Sequence, residues 1–250
     1  MPSRRKLFDP NSNEPFAISR TGIEQFMRCP RCFYMHRKLG VSPPKMVPLT
    51  LAVATDALLK NEFDEIRGTK KSHYVWDANG LNVTAFDHED IELWRNNFKG
   101  IRHLHQSTNF EIFGAVDDVW KCRVTGELHI VDYKSTSKKG DPSIDEGGFG
   151  DAYKRQMEIY QWLFRACGFE VNDIGYFLYV NGSKQGRFFD ENNDGRMRFK
   201  TTLIEYSGST DWVENTVISA KSCLLDDKLP SGGDNCDNCR YFDERNEFED

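Results

Sequence analysis

Apolar residues recur at helical spacing in four stretches of the chain. The first begins at residues 21–24 (TGIE), which have the spacing of a capping box, and Pro30 ends or redirects this helix. The next predicted helix carries Asp56, and a later one is closed by Gly168, at the position where glycine commonly ends a helix. After the first helix, the predicted helices span residues 49–63, 151–167 and 212–225.

Strand-like patterns fill the segments between these helices. Residues 110–124 and 127–135 are strand-like runs on either side of Thr125-Gly126, which predicts a tight hairpin. Residues 174–180 form a short apolar and aromatic run that is typical of a buried strand. Further strands are predicted over residues 81–86 and 197–206. Because strands and helices interleave, the sequence predicts an α/β or α+β fold.

The two ends of the chain lack such periodicity. Residues 1–17 are polar, contain prolines and are predicted to form a flexible N-terminal arm. Residues 18–250 are predicted to form a single domain. Its last segment, residues 230–250, is too polar to pack by itself, so it needs a partner elsewhere in the chain to hold it in place.

Composition and charge restrict the class of protein. The chain has 250 residues, of which 38% are hydrophobic and 29% are charged, enough for one large domain or two small ones. No segment approaches the roughly 20 apolar residues of a membrane-spanning helix or the apolar core of a signal peptide, so a cytoplasmic protein without a membrane partner is predicted. The net charge of −6 argues against a protein that coats nucleic acid through overall positive charge.

The predicted hairpin gathers two acids and a lysine. Asp132 and Lys134 are two residues apart, so they project from the same face of the second strand. If Thr125-Gly126 is a two-residue turn, Asp117 lies opposite Lys134 and diagonal to Asp132, within about 7–8 Å. Carboxylates brought together repel each other, and a hard cation such as Mg²⁺ or Mn²⁺ relieves that repulsion. Such a site suits hydrolysis of a phosphodiester, with Lys134 positioning water or steadying the developing charge.

A surface salt bridge on a solvated sheet face is the alternative interpretation of Asp132 and Lys134. The apolar run that precedes them, which includes Ile130 and Val131, favours the metal site. Asp118 falls on the opposite face of its strand and is predicted to be structural or exposed to solvent.

The predicted helix 151–167 supplies a second polar pair near this site. Gln156 and Tyr160 are four residues apart and therefore share one helix face. An amide and a phenol suit contact with a nucleic-acid strand, and the adjacent Lys154 and Arg155 add positive charge where its backbone would pass.

These motifs occur in the order seen in RecB-type nucleases of the PD-(D/E)XK superfamily, which the chain resembles over about residues 19–240. The likeness is to the branch that includes CRISPR-associated adaptation exonucleases and helicase-linked repair nucleases. It implies a restriction-endonuclease-like core, in which helices flank a mixed central sheet. The segments that carry the resemblance are SRTGIEQF (19–26) with CP (29–30), GAVD (114–117), DYK (132–134) and QMEIY (156–160).

The resemblance implies a metal site for Mg²⁺ or Mn²⁺. Asp117 and Asp132 would be ligands, and the main-chain carbonyl of Tyr133 a further one. Relatives often place a histidine ligand in the preceding helix, and here the best-matching position is Asp56, which can also coordinate these ions.

Catalytic and substrate-binding roles follow from the same resemblance. Lys134 would be the catalytic lysine, and Gln156 and Tyr160 would contact the substrate. The predicted function is therefore a metal-dependent DNA nuclease, an exonuclease, in DNA repair, recombination or defence. DNA would be its partner, together with a helicase or another repair or defence subunit. The alternative is a non-catalytic nucleic-acid-binding module that a four-cysteine metal centre stabilises.

Two CxxC pairs stand at opposite ends of the chain, Cys29 with Cys32 and Cys236 with Cys239. Several relatives hold an iron–sulfur cluster with one early and three late cysteines, but Arg245 stands where the last would be expected, and Cys32 could replace it. Four thiolates suit either a [4Fe–4S] cluster or a structural Zn²⁺. Either centre would join the N-terminal and C-terminal segments.

Overall fold

The computed structural model describes residues 6–42, 44, 47, 49–144, 149–189 and 191–248. The chain divides into two compact units. The first unit comprises Met1–Val47, Arg102–Gly114 and Thr210–Asp250, and the second comprises Pro48–Ile101 and Ala115–Ser209. That residues 18–250 form a single domain stays a prediction. Among the described residues, no helix combines the length and the apolar composition that crossing a membrane requires.

Strands and helices interleave along the described chain, as the sequence predicts. In chain order the elements are β1 (Phe16–Ser19), α1 (Arg20–Arg28), α2 (Pro30–Arg37), α3 (Thr50–Asp64), α4 (Tyr74–Ala78), β2 (Val83–Ala85), α5 (Ile91–Trp94), β3 (Ile101–His105), β4 (Phe110–Gly114), β5 (Asp118–Cys122), β6 (Leu128–Thr136), α6 (Phe149–Ala166), β7 (Ile174–Gly182), β8 (Phe199–Ser207), α7 (Asp211–Leu225) and α8 (Asp237–Asn246).

The first unit contains a three-stranded sheet in the order β1-β4-β3. β1 runs parallel to β4, with Ile18 opposite Ile112, and both side chains are fully buried. Phe8 and Phe16 are also buried and pack edge-to-face at 5.4 Å between ring centroids. Apolar contacts therefore hold Phe8 and Phe16 in this unit. That residues 1–17 form a flexible arm stays a prediction.

Helix boundaries in the first unit differ from the predicted caps. Ser19, rather than Thr21, caps α1, because its hydroxyl accepts a hydrogen bond from the Gly22 amide at 3.2 Å. Pro30 redirects the chain as predicted, since it occupies the first turn of α2. The C-terminal tail forms α8, a helix that its polar sequence did not predict.

The second unit contains a five-stranded mixed sheet in the order β2-β5-β6-β7-β8. β6 and β7 are parallel, and the other neighbours are antiparallel. Phe63 of α3 stacks on Tyr133 of β6 at 6.0 Å between centroids, whereas Gln156 of α6 bonds to Asp132, the preceding strand residue. Because successive strand residues face opposite sides, helices cover both faces of β6. The restriction-endonuclease-like fold class is thereby confirmed.

The hairpin register differs from the prediction by two residues. Asp118 pairs with Val131, and Lys121 pairs with Leu128, so a five-residue loop, residues 123–127, replaces the predicted two-residue turn. Strand side chains alternate with a period of two, so a shift of two leaves every side chain on its predicted face. The predicted strand over 110–124 is in fact two strands, β4 and β5, which belong to different sheets.

Candidate active site

The centre of the site is an ion pair on β6. Asp132 and Lys134 contact each other, and their side chains are only 1% and 14% exposed. Gln156 of α6 joins them, because its Nε2 donates to Asp132 Oδ1 at 2.8 Å and its Oε1 accepts from Lys134 Nζ at 3.3 Å. This burial excludes the alternative of a surface salt bridge on a solvated sheet face.

Asp117, the residue immediately before β5, contributes a second carboxylate to the same site. Its Oδ2 accepts a hydrogen bond from the main-chain amide of Tyr133 at 2.8 Å, so the strand backbone orients the carboxylate. Burial and the nearby negative charge of Asp132 raise the pKa of Asp117 to about 7, and the ammonium groups of Lys134 and Lys60 oppose that rise. The site therefore holds more negative charge than its surroundings stabilise.

Asp56 approaches the acids indirectly, through a lysine that the sequence analysis missed. Lys60, one helical turn further along α3, lies 2.7 Å from Asp56 Oδ2 and 3.7 Å from Asp117 Oδ1. Its signal in the sequence is the four-residue spacing from Asp56.

The donor set nevertheless fits a hard divalent cation. The three acids supply only oxygen, the ligand type that Mg²⁺ and Mn²⁺ prefer. Two ammonium groups, those of Lys60 and Lys134, lie against these acids. Because these ammonium groups offset the negative charge of the acids, a divalent ion could replace part of their positive charge.

Tyr133 connects the site to a buried ionic network beneath it. Its hydroxyl donates to Asp118 Oδ2 at 2.9 Å, and Asp118 is fully buried between the guanidinium groups of Arg67 and Arg95. Arg95 Nε also donates to the main-chain carbonyl of Asp117 at 3.0 Å. Of the two predicted roles of Asp118, the structural one is confirmed. That the carbonyl of Tyr133 binds metal stays a prediction.

Helix α6 presents a row of polar side chains to this site. Gln156 and Tyr160 share one face as predicted, with Gln156 Nε2 3.3 Å from the Tyr160 hydroxyl. Tyr160 is buried, and its hydroxyl accepts this hydrogen bond from Gln156. The substrate-binding role of both residues stays a prediction. Lys134 Nζ lies 4.3 Å above the ring of Tyr153, three residues before Gln156, a contact that the sequence analysis missed.

The four cysteines converge in the first unit. Their sulfur atoms all lie within 4.8 Å of one another, with distances of 3.5 Å from Cys29 to Cys239, 3.5 Å from Cys32 to Cys236 and 3.7 Å from Cys32 to Cys239. Each CxxC pair begins a helix, α2 or α8, so a helix N-terminus lies beside each pair. Burial nevertheless raises the pKa of Cys32 and raises that of Cys239 to about 11. The cluster joins the N-terminal and C-terminal segments, as predicted, and Cys32 is its fourth member.

Main-chain amides contribute to the environment of Cys29. Its sulfur accepts from the amide of Gly233 at 3.2 Å and from that of Cys32 at 3.4 Å. Burial by itself would raise the pKa of this thiol, but these donors outweigh burial and lower the pKa to about 7. Glycine is required at position 233, because a Cβ would stand 2.1 Å from the carbonyl oxygen of Arg28.

A mixed sheet with a buried acid–lysine pair and an adjacent acid defines the class as a nuclease-type α/β protein. The family model of the PD-(D/E)XK nuclease superfamily matches residues 50–243, and the chain belongs to this superfamily. Its members are generally metal-dependent nucleases.

No curated protein matches the chain. The crystal structure of an exonuclease candidate from Eubacterium rectale is similar over 95% of this chain and 93% of that one, with 13% identity and a TM-score of 0.40.

Proposed function

We propose that this protein is a metal-dependent deoxyribonuclease, acting as an exonuclease in DNA repair, recombination or defence. The observation that carries the proposal is the buried pair Asp132 and Lys134, held by Gln156 beside Asp117, in a chain of the PD-(D/E)XK superfamily. The resemblance to RecB-type nucleases supports DNA as the substrate and an exonucleolytic mode. It also supports a helicase or another repair or defence subunit as a partner.

Asp117 and Asp132 would hold Mg²⁺ or Mn²⁺, with Asp56 and the carbonyl of Tyr133 as further ligands. When bound, the ion supplies a Lewis acid for the phosphoryl oxygen and lowers the pKa of a coordinated water. Lys134 remains an ammonium group because Asp132 and Asp117 flank it, so it can stabilise negative charge on the scissile phosphate. Gln156 fixes both Asp132 and Lys134, which keeps acid and ammonium in one geometry.

Cleavage assays with Asp132→Asn test this function. The wild-type protein is expected to hydrolyse single- or double-stranded DNA with Mg²⁺ or Mn²⁺, and Asp132→Asn is expected to remain folded without cutting. The exposed Asp87→Asn in the same unit is a matched control and should retain activity. Failure of the wild-type protein to cut either form of DNA with either metal would contradict the proposal.

A non-catalytic nucleic-acid-binding module is the second candidate function. It is favoured by Lys60, whose ammonium group lies between the carboxylates of Asp56 and Asp117. DNA binding that persists in Asp132→Asn, without cutting by either form, would support this alternative.

We propose further that the four cysteines bind a structural Zn²⁺ rather than a [4Fe–4S] cluster. Tetrahedral Zn²⁺ with Zn–S bonds of about 2.3 Å places its sulfur ligands about 3.8 Å apart. Three of the six sulfur pairs are 3.5 to 3.7 Å apart, close to this value, and all six lie within 4.8 Å. In a four-iron cluster each thiolate binds a different iron, which requires the sulfurs to stand farther apart.

A further inference from the structure

An exposed hairpin, residues 183–198, connects β7 to β8. The amide of Ser183 donates to the Arg198 carbonyl, and the amide of Arg196 donates to the Phe188 carbonyl, both at 2.8 Å. These bonds hold the two arms together beyond the end of the sheet. Every described residue of the 183–198 hairpin is exposed, so its side chains add little to the core of the second unit.

Two phenyl rings stand on this hairpin. Phe188 is 62% exposed and Phe189 57% exposed, and their ring centroids are 5.2 Å apart at an interplanar angle of 82°. The ring of Phe188 lies over Gly195, where an added Cβ would come within 2.6 Å of it. Glycine at that position therefore leaves room for the ring. Two adjacent exposed phenyl rings are an unusual use of large apolar side chains, and they indicate a binding role.

Basic residues flank the two rings in the sequence. The 183–198 hairpin includes four basic and three acidic residues, so it is net positive in a chain of net charge −6. The four basic residues are Lys184, Arg187, Arg196 and Arg198. Lys200, the next basic residue along the chain, is ion-paired with Asp141.

The hairpin extends from the end of the sheet at which β6, the strand that carries Asp132 and Lys134, also ends. β6 and β7 are parallel, and Lys134 pairs with Tyr179. Ser183 follows Tyr179 by four residues, or about 13 Å at about 3.3 Å per residue. A strand with the helical rise of B-DNA, about 3.4 Å per nucleotide along the helix axis, would cover that distance with about four nucleotides.

We propose that the 183–198 hairpin binds single-stranded nucleic acid and leads it to the proposed active site. Phe188 and Phe189 would stack on bases, and the basic side chains would contact phosphates. Exposed rings within a basic surface suit single strands, whose bases offer free faces, whereas paired bases in a duplex are already stacked. The identity of this strand as a substrate rests on the proposed nuclease function, but binding by the hairpin does not.

Binding measurements in the Asp132→Asn background test the proposal without cleavage. Fluorescence anisotropy with a labelled single strand of mixed sequence would compare Phe188→Ala/Phe189→Ala with the parent. We expect Kd to rise about tenfold for each ring removed. Phe98→Ala, at an 86% exposed phenylalanine outside the hairpin, is the aromatic control and should leave Kd unchanged.

The charges are tested by salt dependence. Arg187→Gln/Arg198→Gln should weaken binding and reduce the slope of log Kd against log salt by about 1.4, since each phosphate contact on a single strand contributes about 0.7. Lys70→Gln/Lys71→Gln, at two exposed lysines elsewhere in the second unit, should leave the slope unchanged. Unaltered melting temperatures would show that the variants fold.

Three outcomes would overturn the proposal. One is an unchanged single-strand Kd in the folded hairpin variants. Another is an equal loss of binding to a blunt duplex, which would contradict single-strand selection. The third is a change of oligomeric state without a change in binding, which would assign the rings to contact with a second copy of the chain. If the wild-type protein cuts no DNA but the hairpin variants lose binding, only the nuclease function fails.

Discussion

Lys60 Nζ lies 2.7 Å from Asp56 Oδ2, one helical turn away on α3. The same ammonium is 3.7 Å from Asp117 Oδ1, so it stands between two proposed metal ligands. In the absence of metal, its charge offsets repulsion between these acids. A divalent ion that binds both carboxylates must displace this side chain or share the space with it.

Replacement of Lys60 by methionine should therefore strengthen Mn²⁺ binding. A unit charge about 4 Å from a divalent ion repels it by roughly 2–8 kcal/mol, depending on the local dielectric constant. The lysine is 20% exposed and can move away, so we expect the lower end of that range, about a thirtyfold decrease in Kd. Isothermal titration calorimetry without DNA measures the change. Lys99→Met is the control, and an unchanged Kd in Lys60→Met would argue against competition.

Gln156→Glu should reduce cleavage while the protein remains folded. The substitution keeps the size of the side chain but replaces the amide donor to Asp132 with a second carboxylate. Loss of a partner that orients a metal ligand commonly costs about 10- to 100-fold in metal affinity or activity. Initial rates of DNA hydrolysis, measured over a range of Mn²⁺ concentrations, would reveal the loss. The same change at exposed Gln106 should have no effect, and equal rates in Gln156→Glu would contradict the positioning role.

The metal-free protein should become more stable as the pH falls through about 7. The pKa of Asp117 is about 7 in the folded protein, above its usual 3.8, so folding binds a proton between these values. The stabilisation is complete below the unfolded-state pKa and is lost as the pH rises through about 7. One such proton gives a slope of at most about 1.4 kcal/mol per pH unit.

Urea unfolding in a chelator between about pH 5 and pH 8 measures this slope. Asp117→Asn should remove the contribution of this residue and flatten the profile. A profile that Asp117→Asn leaves unchanged would show that another group causes the dependence.

Asp118→Asn should destabilise the second unit strongly. Asp118 is fully buried, and the side chains of its partners Arg67 and Arg95 are only 7% and 5% exposed. Removal of its negative charge leaves two buried guanidinium groups without a full counter-charge. Such a loss typically lowers the free energy of unfolding by about 3–5 kcal/mol. Chemical denaturation would report the loss, with Asp87→Asn as the exposed control. A change below about 1 kcal/mol would mean that the network does not depend on this charge.

The four-cysteine centre should contain zinc and give a colourless protein. Elemental analysis and a visible absorption spectrum after anaerobic purification distinguish the metals, because an iron–sulfur cluster absorbs visible light and Zn²⁺ does not. Cys239→Ser should lower the zinc content and the thermal stability together, whereas Cys167→Ser, at an exposed cysteine outside the cluster, should change neither. Iron with visible absorption would contradict the zinc assignment.

Local patterns in the sequence determined the secondary structure near the site. Helix α3 was expected over residues 49–63 and spans Thr50–Asp64, because its apolar spacing is a property of neighbouring residues. The shared face of Asp132 and Lys134 was predictable for the same reason. Even the incorrect turn did not change which face each acid occupies, because the register error was two residues, the period of strand alternation.

Tertiary structure alone decided which distant residues meet. The contact of Lys60 with Asp117, the position of Lys134 over Tyr153 and the packing of Phe8 depend on how separate elements approach one another. The two CxxC motifs were visible in the sequence, but their sulfur distances were not. A periodic pattern of apolar and polar residues indicates which face of one element is buried. Distances between elements, in contrast, are set by the packing of side chains that are far apart in the chain.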